Sequence, residues 1–225
     1  MKYTNENGRS MVEMLGVLAI IGVLSVGGIA GYSKAMNKFK INKTTDQISM
    51  LVANIRTIFS SQGNYAGLNN GSAIRFGVVP NDMYTTATNG TYASDYSIKN
   101  AFGGAVTIDH DKLRTDDGNS NEAFTIKYDG LSQEACVTIS TGDWGSGQAS
   151  GLVAMGAGLT AQVTEATMTA LMIDGGTPAA GASLVTAQPG NTSSGTPITV
   201  ANAVNACTGA TGKEGSGYSV MWKYY

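Results

Sequence analysis

One uninterrupted apolar run near the N-terminus constrains this chain more than any other feature. The run extends from Met11 to Tyr32, reads MVEMLGVLAIIGVLSVGGIAGY, and contains Glu13 as its only charged residue. A helix of this length measures about 33 Å, which matches the hydrocarbon thickness of a bilayer. The residues before the run are too few and too polar for an ordinary secretory signal, and no A-x-A site ends it. We therefore expect the segment to stay on the mature protein.

The polar sequence after Tyr32 keeps a helical period. Apolar residues recur at the spacings of one helix face, at Ile48, Leu51, Val52, Ile55, Ile58 and Phe59. Neither proline nor glycine occurs between Gly31 and Gly63, so we expect a single helix from about Met11 to Phe59, roughly 70 Å long. A soluble globular protein would leave the wholly apolar first half exposed to water. A subunit that leaves the membrane and packs this half against copies of itself would keep it covered.

The residues around the start of the run resemble the type IV prepilin signature. In GRSMVEMLGVLAIIGVL, the end of a short polar leader is followed, at fixed spacing, by a glutamate and an apolar helix. The resemblance implies that residues 1–8 are a leader peptide, which a prepilin peptidase removes after Gly8 on the cytoplasmic side. Arg9 then becomes the mature N-terminus, which is usually methylated, and Glu13 becomes the fifth mature residue.

The position of Glu13 is costly for a carboxylate. A charge at mid-bilayer costs about 2.5–3.5 kcal/mol and therefore usually faces a partner. The resemblance implies that this partner is the N-terminal ammonium of a neighbouring subunit, here on Arg9, and that the pair sets the axial register of a filament. The alternative is that Ser10 and Glu13 form an S-x-x-E capping box that opens an ordinary anchor helix. A capping box leaves the position of Gly8 unexplained.

Basic residues are distributed unevenly about the apolar run. Only Lys2 and Arg9 precede it, whereas four lysines follow it, at Lys34, Lys38, Lys40 and Lys43. Taken alone, the positive-inside rule would place the C-terminal region in the cytoplasm. The cleavage signature places that region on the opposite side of the membrane, and we follow the signature.

Three regions are expected along the chain. After the leader, residues 9–62 form a spine helix, with 9–32 as its membrane or filament-core half and 33–62 as its amphipathic half. Residues 63–225 form a globular headgroup, because short apolar stretches there alternate with Gly, Asn and Asp clusters. Four strands are predicted, at Ala105–Asp109, Ala123–Tyr128, Ala135–Ser140 and Tyr218–Tyr224. A helix is predicted over Leu159–Ile173 and a loop over Gly175–Pro197.

The two cysteines, Cys136 and Cys207, lack the C-x-x-C spacing of a metal knuckle or a redox motif. In an exported chain the simplest use of two cysteines is one disulfide, which would stabilise the fold by roughly 4 kcal/mol in the chain-entropy model. Two buried thiols that act as small apolar side chains are the alternative.

The layout as a whole resembles the type IV pilin fold. This is an α+β fold in which a long N-terminal spine helix packs on an antiparallel β-sheet headgroup with a disulfide-bracketed C-terminal region. The NAFGG sequence at residues 100–104 and the FTIKYDGLS run that leads to Cys136 are most similar to type IVb pilins of the conjugative and intestinal-colonisation kinds.

Several chemistries are excluded or disfavoured. Charged residues are 13% of the chain and the net charge is -2, so no nucleic-acid partner is expected. His110 is the only histidine, which excludes a multi-histidine metal site within one chain. The sequence around Gly209–Glu214 fails as a P-loop, because Cys207 and Glu214 occupy required Gly and Ser/Thr positions. Residues 116–122 lack EF-hand spacing. We expect no enzyme activity, cofactor or metal.

The expected function is that of a structural subunit, as a major pilin, of an extracellular type IV pilus that serves adhesion, aggregation, conjugation or motility. The expected partners are copies of the chain itself, the prepilin peptidase, the inner-membrane assembly machinery and, before assembly, the bacterial inner membrane. A minor pilin or a type II secretion pseudopilin shares this N-terminus and is the first alternative. A single-pass membrane-anchored binding domain is the second.

Overall fold

The computed structural model describes residues 11–84, 97–113, 121–145, 150–164, 184–189, 195–208 and 217–225. The chain divides into two compact units, of which the first ends at Lys40 and the second is Ile41–Tyr225. Residues 116–120 of the segment compared with an EF-hand, and the P-loop-like sequence at 209–214, lie outside the described residues.

Helix α1, Met11–Phe59, is one continuous helix, as its sequence predicts. In the first unit every side chain from Met11 to Ala35 is exposed. In the second unit the helix has a buried stripe at the spacings of one helix face, which comprises Ile41, Ile48, Leu51, Ile55 and Phe59. Val52 and Ile58 lie at the edges of the stripe and are partly buried against the same core. The predicted stripe is therefore confirmed.

The sheet has six described strands, all paired antiparallel, in the order β1-β2-β3-β6-β4-β5. Their bounds are β1 Ile98–Lys99, β2 Ala105–Asp111, β3 Ala123–Leu131, β4 Leu152–Leu159, β5 Leu184–Ala187 and β6 Tyr218–Tyr224. The strands predicted at Ala105–Asp109 and Ala123–Tyr128 are confirmed as β2 and β3, which pair so that Val106 faces Tyr128 and Asp111 faces Ala123. The predicted C-terminal strand is confirmed as β6, and it lies between β3 and β4.

One face of the sheet and the buried stripe of α1 share a single hydrophobic core. Alternate residues of β3 and β6 point into it, among them Phe124, Tyr128, Val220 and Trp222. The Trp222 ring is fully buried and meets the rings of Tyr128 and Trp144 edge to face, with centroids 6.0 and 5.1 Å apart. The α+β fold, with a long N-terminal helix packed on an antiparallel sheet, is confirmed.

The predicted third strand, Ala135–Ser140, is wrong because this segment is helical. It belongs to α3, Gln133–Ser140, whose N-cap residue Ser132 accepts a hydrogen bond from the Ala135 backbone N–H. Ala135, Cys136, Ile139 and Ser140 are buried, a spacing that fits one face of a helix rather than one face of a strand. The N-cap serine and the acidic Glu134 in the first turn were the signals for a helix start.

Two further segments differ from the prediction. The helix expected from Leu159 is wrong at its start, because Leu159 ends β4 and a turn follows it, while residues 165–173 lie outside the described part. All eight residues of β4 are buried. Leu152, Met155 and Ala157 belong to the main core, and Ala154 packs in a second cluster with Val163 and Met221. The loop expected over Gly175–Pro197 contains β5. Helices α2, Asn70–Arg75, and α4, Val200–Thr208, were not predicted.

Candidate assembly segment and headgroup site

The first half of α1 is a bare apolar helix with one carboxylate. Glu13 lies in the first described turn of α1, and the large apolar residues after it are exposed, for example Leu18 at 60% and Ile29 at 71%. By length and composition this helix is able to cross a membrane. Exposed apolar surface of this extent is unfavourable in water and marks a segment that is covered by lipid or by protein.

The processing residues lie outside the part of the chain that the structure describes. Gly8, Arg9 and Ser10 are among those residues, so the structure gives no distance from Glu13 to the Arg9 amine or to Ser10. Cleavage after Gly8, pairing of Glu13 with Arg9, and the alternative capping box therefore all stay predictions from the sequence.

The headgroup contains the predicted disulfide. Cys136 of α3 and Cys207 of α4 are joined, with their Cα atoms 6.0 Å apart, and both are fully buried. The bond links two helices that pack on the same core as the sheet. Because the two cysteines are 71 residues apart, the link closes a long loop that contains β4 and β5. The disulfide-bracketed C-terminal region is thereby confirmed, and the alternative of two free thiols is wrong.

The face of the sheet opposite the core carries two lysine–aspartate pairs. Lys223 of β6 and Asp111 of β2 are 2.6 Å apart, and their side chains are 0% and 3% exposed. Lys127 Nζ lies 3.1 Å from Asp129 Oδ1, and the same carboxylate accepts a hydrogen bond of 2.5 Å from Ser219. The Lys223–Asp111 pair links β6 to β2, and the Ser219–Asp129 hydrogen bond links β6 to β3. The Lys223–Asp111 pair was not predicted, because partners this distant in sequence leave no local pattern.

The segment after α2 is fastened to α1 at two points. Lys43 Nζ lies 2.6 Å from Asp82 Oδ2, and Asn54 Nδ2 donates to the Val78 carbonyl at 3.0 Å. Residues 43 and 54 are three helical turns apart and therefore lie on the same side of α1. The hydrogen bond from Lys43 is the main reason why the pKa of Asp82 is lowered, and Gln47 contributes a weaker hydrogen bond.

The turn at Asn100 holds β2 against the end of β3. The Asn100 side chain accepts from the Phe102 and Gly104 N–H groups and donates to the Asp129 carbonyl at 2.8 Å. A Cβ on Gly104 would lie 1.8 Å from that same carbonyl oxygen, so only glycine fits there. The NAFGG sequence at residues 100–104 thus forms a turn that is held by the Asn100 side chain.

A cleft of about 280 Å³ lies beside the second half of α1, and Arg56, Asp143, Trp144 and Tyr224 are among the residues that line it. The Arg56 guanidinium stacks over the Tyr224 ring at 5.0 Å, and Nη2 donates to the Tyr225 carbonyl at 3.4 Å. Burial raises the pKa of Tyr224 to about 12 against the opposing effect of Arg56. These contacts fix the C-terminal strand to the helix.

The described residues fall short of the requirements of a metal site. They contain no cluster of three or more His, Cys, Asp and Glu side chains that could hold a metal ion. His110 Nδ1 lies 2.9 Å from Asp109 Oδ1 near the end of β2 and is partly exposed.

A bare apolar helix joined to an antiparallel sheet with a disulfide-linked C-terminal region defines the pilin class of structural proteins. The family model described as PilS N terminal matches residues 38–214, which is more than half of the chain. The chain therefore belongs to the PilS N-terminal family, and the predicted type IV pilin is confirmed. Type IV pilins are structural subunits, so the chain is not an enzyme.

Individual proteins are similar to the chain at low identity. The toxin coregulated pilin of Vibrio cholerae is 24% identical over 149 residues, and that of the serotype O1 El Tor strain is 26% identical over 140 residues. Each match covers 62% of this chain and 59% of the relative, which is less than two thirds of its length.

Two solved structures are also similar. The type IVb pilin from Salmonella typhi has 18% identity and a TM-score of 0.45, with 80% of this chain and 97% of that one covered. TcpA, a type IV pilin from Vibrio cholerae El Tor, has 21% identity and a TM-score of 0.48, with 83% and 99% covered.

Proposed function

We propose that this chain is the structural subunit of an extracellular type IV pilus, assembled as a helical homopolymer through the apolar half of α1. The observation that carries the proposal is a single carboxylate, Glu13, in an otherwise apolar and exposed helix. A membrane covers this surface before assembly, and other copies of α1 cover it in the filament. The full headgroup favours a major pilin. A minor pilin or a secretion pseudopilin would use the same N-terminal segment.

Processing by a prepilin peptidase precedes assembly in this proposal. The peptidase cuts after Gly8 on the cytoplasmic face of the inner membrane and leaves the Arg9 amine free. The mature chain then consists of the spine helix, residues 9–62, and the headgroup, residues 63–225. Mass spectrometry of the native N-terminus tests the step, since the mature chain should begin at Arg9. Gly8→Leu should leave full-length precursor in the membrane, while Asn7→Ala should be processed.

Glu13 then pairs with the Arg9 ammonium of a neighbouring subunit. Each charge is costly alone in an apolar environment, and the pair neutralises both when the subunit joins the filament. The inner-membrane assembly machinery extracts the subunit, and the filament grows outside the cell. Adhesion, aggregation, conjugation and motility are the roles such a filament can serve.

Substitutions at Glu13 in the full-length protein separate pairing from capping. Glu13→Gln keeps a side chain that can complete a capping box but removes the charge. Filament yield should fall sharply, whereas membrane insertion should be kept, because the anchor becomes less polar. Ser10→Ala is the matched control, since it removes the box and keeps the carboxylate. Wild-type yield from Glu13→Gln together with loss in Ser10→Ala would favour the capping box and an ordinary anchored domain.

A further inference from the structure

The lysines that follow the apolar run are not used by the assembly mechanism. Lys34 and Lys38 lie in α1 and both are exposed. No acidic residue occurs between Glu13 and Asp46. This part of the helix therefore carries positive charge without an acidic residue on its own surface to balance it.

The two lysines lie at a defined depth if the apolar run spans a bilayer. At about 1.5 Å per residue, Lys34 lies roughly 3 Å and Lys38 roughly 9 Å beyond Tyr32 along the helix axis. The polar headgroup layer extends about 5–8 Å beyond the hydrocarbon on each side. Tyr32 is 68% exposed, and tyrosine is enriched at this interface. Both ammonium groups therefore reach the lipid phosphates on their flexible stems.

The spacing of Lys34 and Lys38 suits a shared anion. Residues four apart on a helix point to the same side, with Cβ atoms about 5–6 Å apart. Lys43 differs, because it lies further along the helix and its ammonium is 2.6 Å from Asp82. The pair Lys34 and Lys38 is thus the part of the basic stretch that is exposed and whose ammonium groups reach the headgroup layer.

We propose that Lys34 and Lys38 bind the phosphate groups of anionic phospholipids in the leaflet through which α1 leaves the membrane. The proposal rests on the membrane-anchored state of the proposed function. A second copy is a poorer partner at this depth, because it presents the same lysines and no acid between Glu13 and Asp46. The proposal also explains why basic residues follow the apolar run, against the usual orientation rule. They hold the subunit at the membrane surface until it is extracted.

The test uses the full-length chain in phosphatidylcholine bilayers that contain spin-labelled lipids. The measured quantity is the ratio of the association constants of labelled phosphatidylglycerol and labelled phosphatidylcholine at the protein surface. The wild type should prefer phosphatidylglycerol several-fold, and high salt should reduce the preference. Lys34→Gln/Lys38→Gln should bring the ratio close to one. Lys34→Arg/Lys38→Arg should keep the preference.

The matched control is Lys99→Gln/Lys112→Gln, which removes the same charge from β1 and the residue after β2 and should leave the ratio unchanged. An unchanged ratio in Lys34→Gln/Lys38→Gln would overturn the inference while the pilin proposal stands. Lost filaments with an unchanged ratio would also overturn it, since the lysines would then contact another subunit. A wild-type chain that does not insert into the bilayer would overturn both the inference and the proposed anchored state.

Discussion

Lys43 Nζ and Asp82 Oδ2 are 2.6 Å apart, the same separation as Lys223 Nζ and Asp111 Oδ2 in the sheet. The two pairs differ in burial. The Lys43 and Asp82 side chains are 39% and 48% exposed, whereas those of Lys223 and Asp111 are 0% and 3% exposed. Water and salt screen the first pair but not the second. Loss of the Lys223–Asp111 pair should therefore lower the free energy of unfolding more than loss of the Lys43–Asp82 pair.

Asp82→Asn should lower the free energy of unfolding by less than about 1 kcal/mol at neutral pH, because the pair is half-exposed. The pKa of Asp82 is lowered in the folded protein from its ordinary 3.8, first by the hydrogen bond from Lys43. A lowered carboxyl pKa stabilises the fold above the ordinary value, and this stability is lost as the pH falls through the folded value. Denaturant unfolding between pH 7 and pH 2 should show the two proteins converging. A constant difference at all pH values would contradict this.

Asp111→Asn should cost about 3–5 kcal/mol, since it removes the carboxylate that lies 2.6 Å from the buried Lys223 ammonium. Asp111→Leu/Lys223→Met removes both charges and should cost clearly less than either single change. Chemical unfolding of the purified full chain measures each value. Equal effects of Asp111→Asn and Asp82→Asn would mean that burial does not decide the strength of these pairs.

Reduction of the Cys136–Cys207 disulfide should lower the free energy of unfolding by about 4 kcal/mol, because the unfolded chain regains the freedom of a long loop. The double variant Cys136→Ala/Cys207→Ala should behave like the reduced protein, and added reductant should not affect it further. Unfolding midpoints with and without reductant provide the measurement. A wild-type midpoint that does not respond to complete reduction would refute the expectation.

Gly104→Ala should destabilise the headgroup more than Gly103→Ala. At Gly104 the new methyl group would lie 1.8 Å from the Asp129 carbonyl oxygen, so β2 and β3 would have to separate. At Gly103 nothing lies within 4 Å, and the cost is only that of a positive φ, +86°, for alanine, of order 1 kcal/mol. The thermal unfolding midpoints of the two variants compare the cost of the clash at Gly104 with the cost of the positive φ at Gly103. A larger loss in Gly103→Ala would show that the turn relaxes around Gly104.

The sequence determined the features that depend on nearby residues. A helix is held by bonds between residues four apart, so the apolar run, the repeat from Ile48 to Phe59 and the absence of helix breakers were enough to predict α1 over its whole length. The roles of Gly8 in cleavage and of Glu13 in assembly were inferred in the same way, from spacing along one chain, and they stay predictions. The strands β2 and β3 could be found because apolar residues occupy every second position along each of them.

Only the tertiary structure decided the features that depend on distant partners. β6 comes last in the chain but lies between β3 and β4, and no local pattern specifies that order. Ala135–Ser140 follows a local helix-start signal at Ser132, but its composition also suited a strand, and only the structure shows its apolar side packed with α4 through Cys136 and Cys207. The Lys223–Asp111 pair exists only because strand pairing brings together residues far apart in sequence. Burial and pairing are properties of the assembled sheet, and the sheet forms from the whole chain.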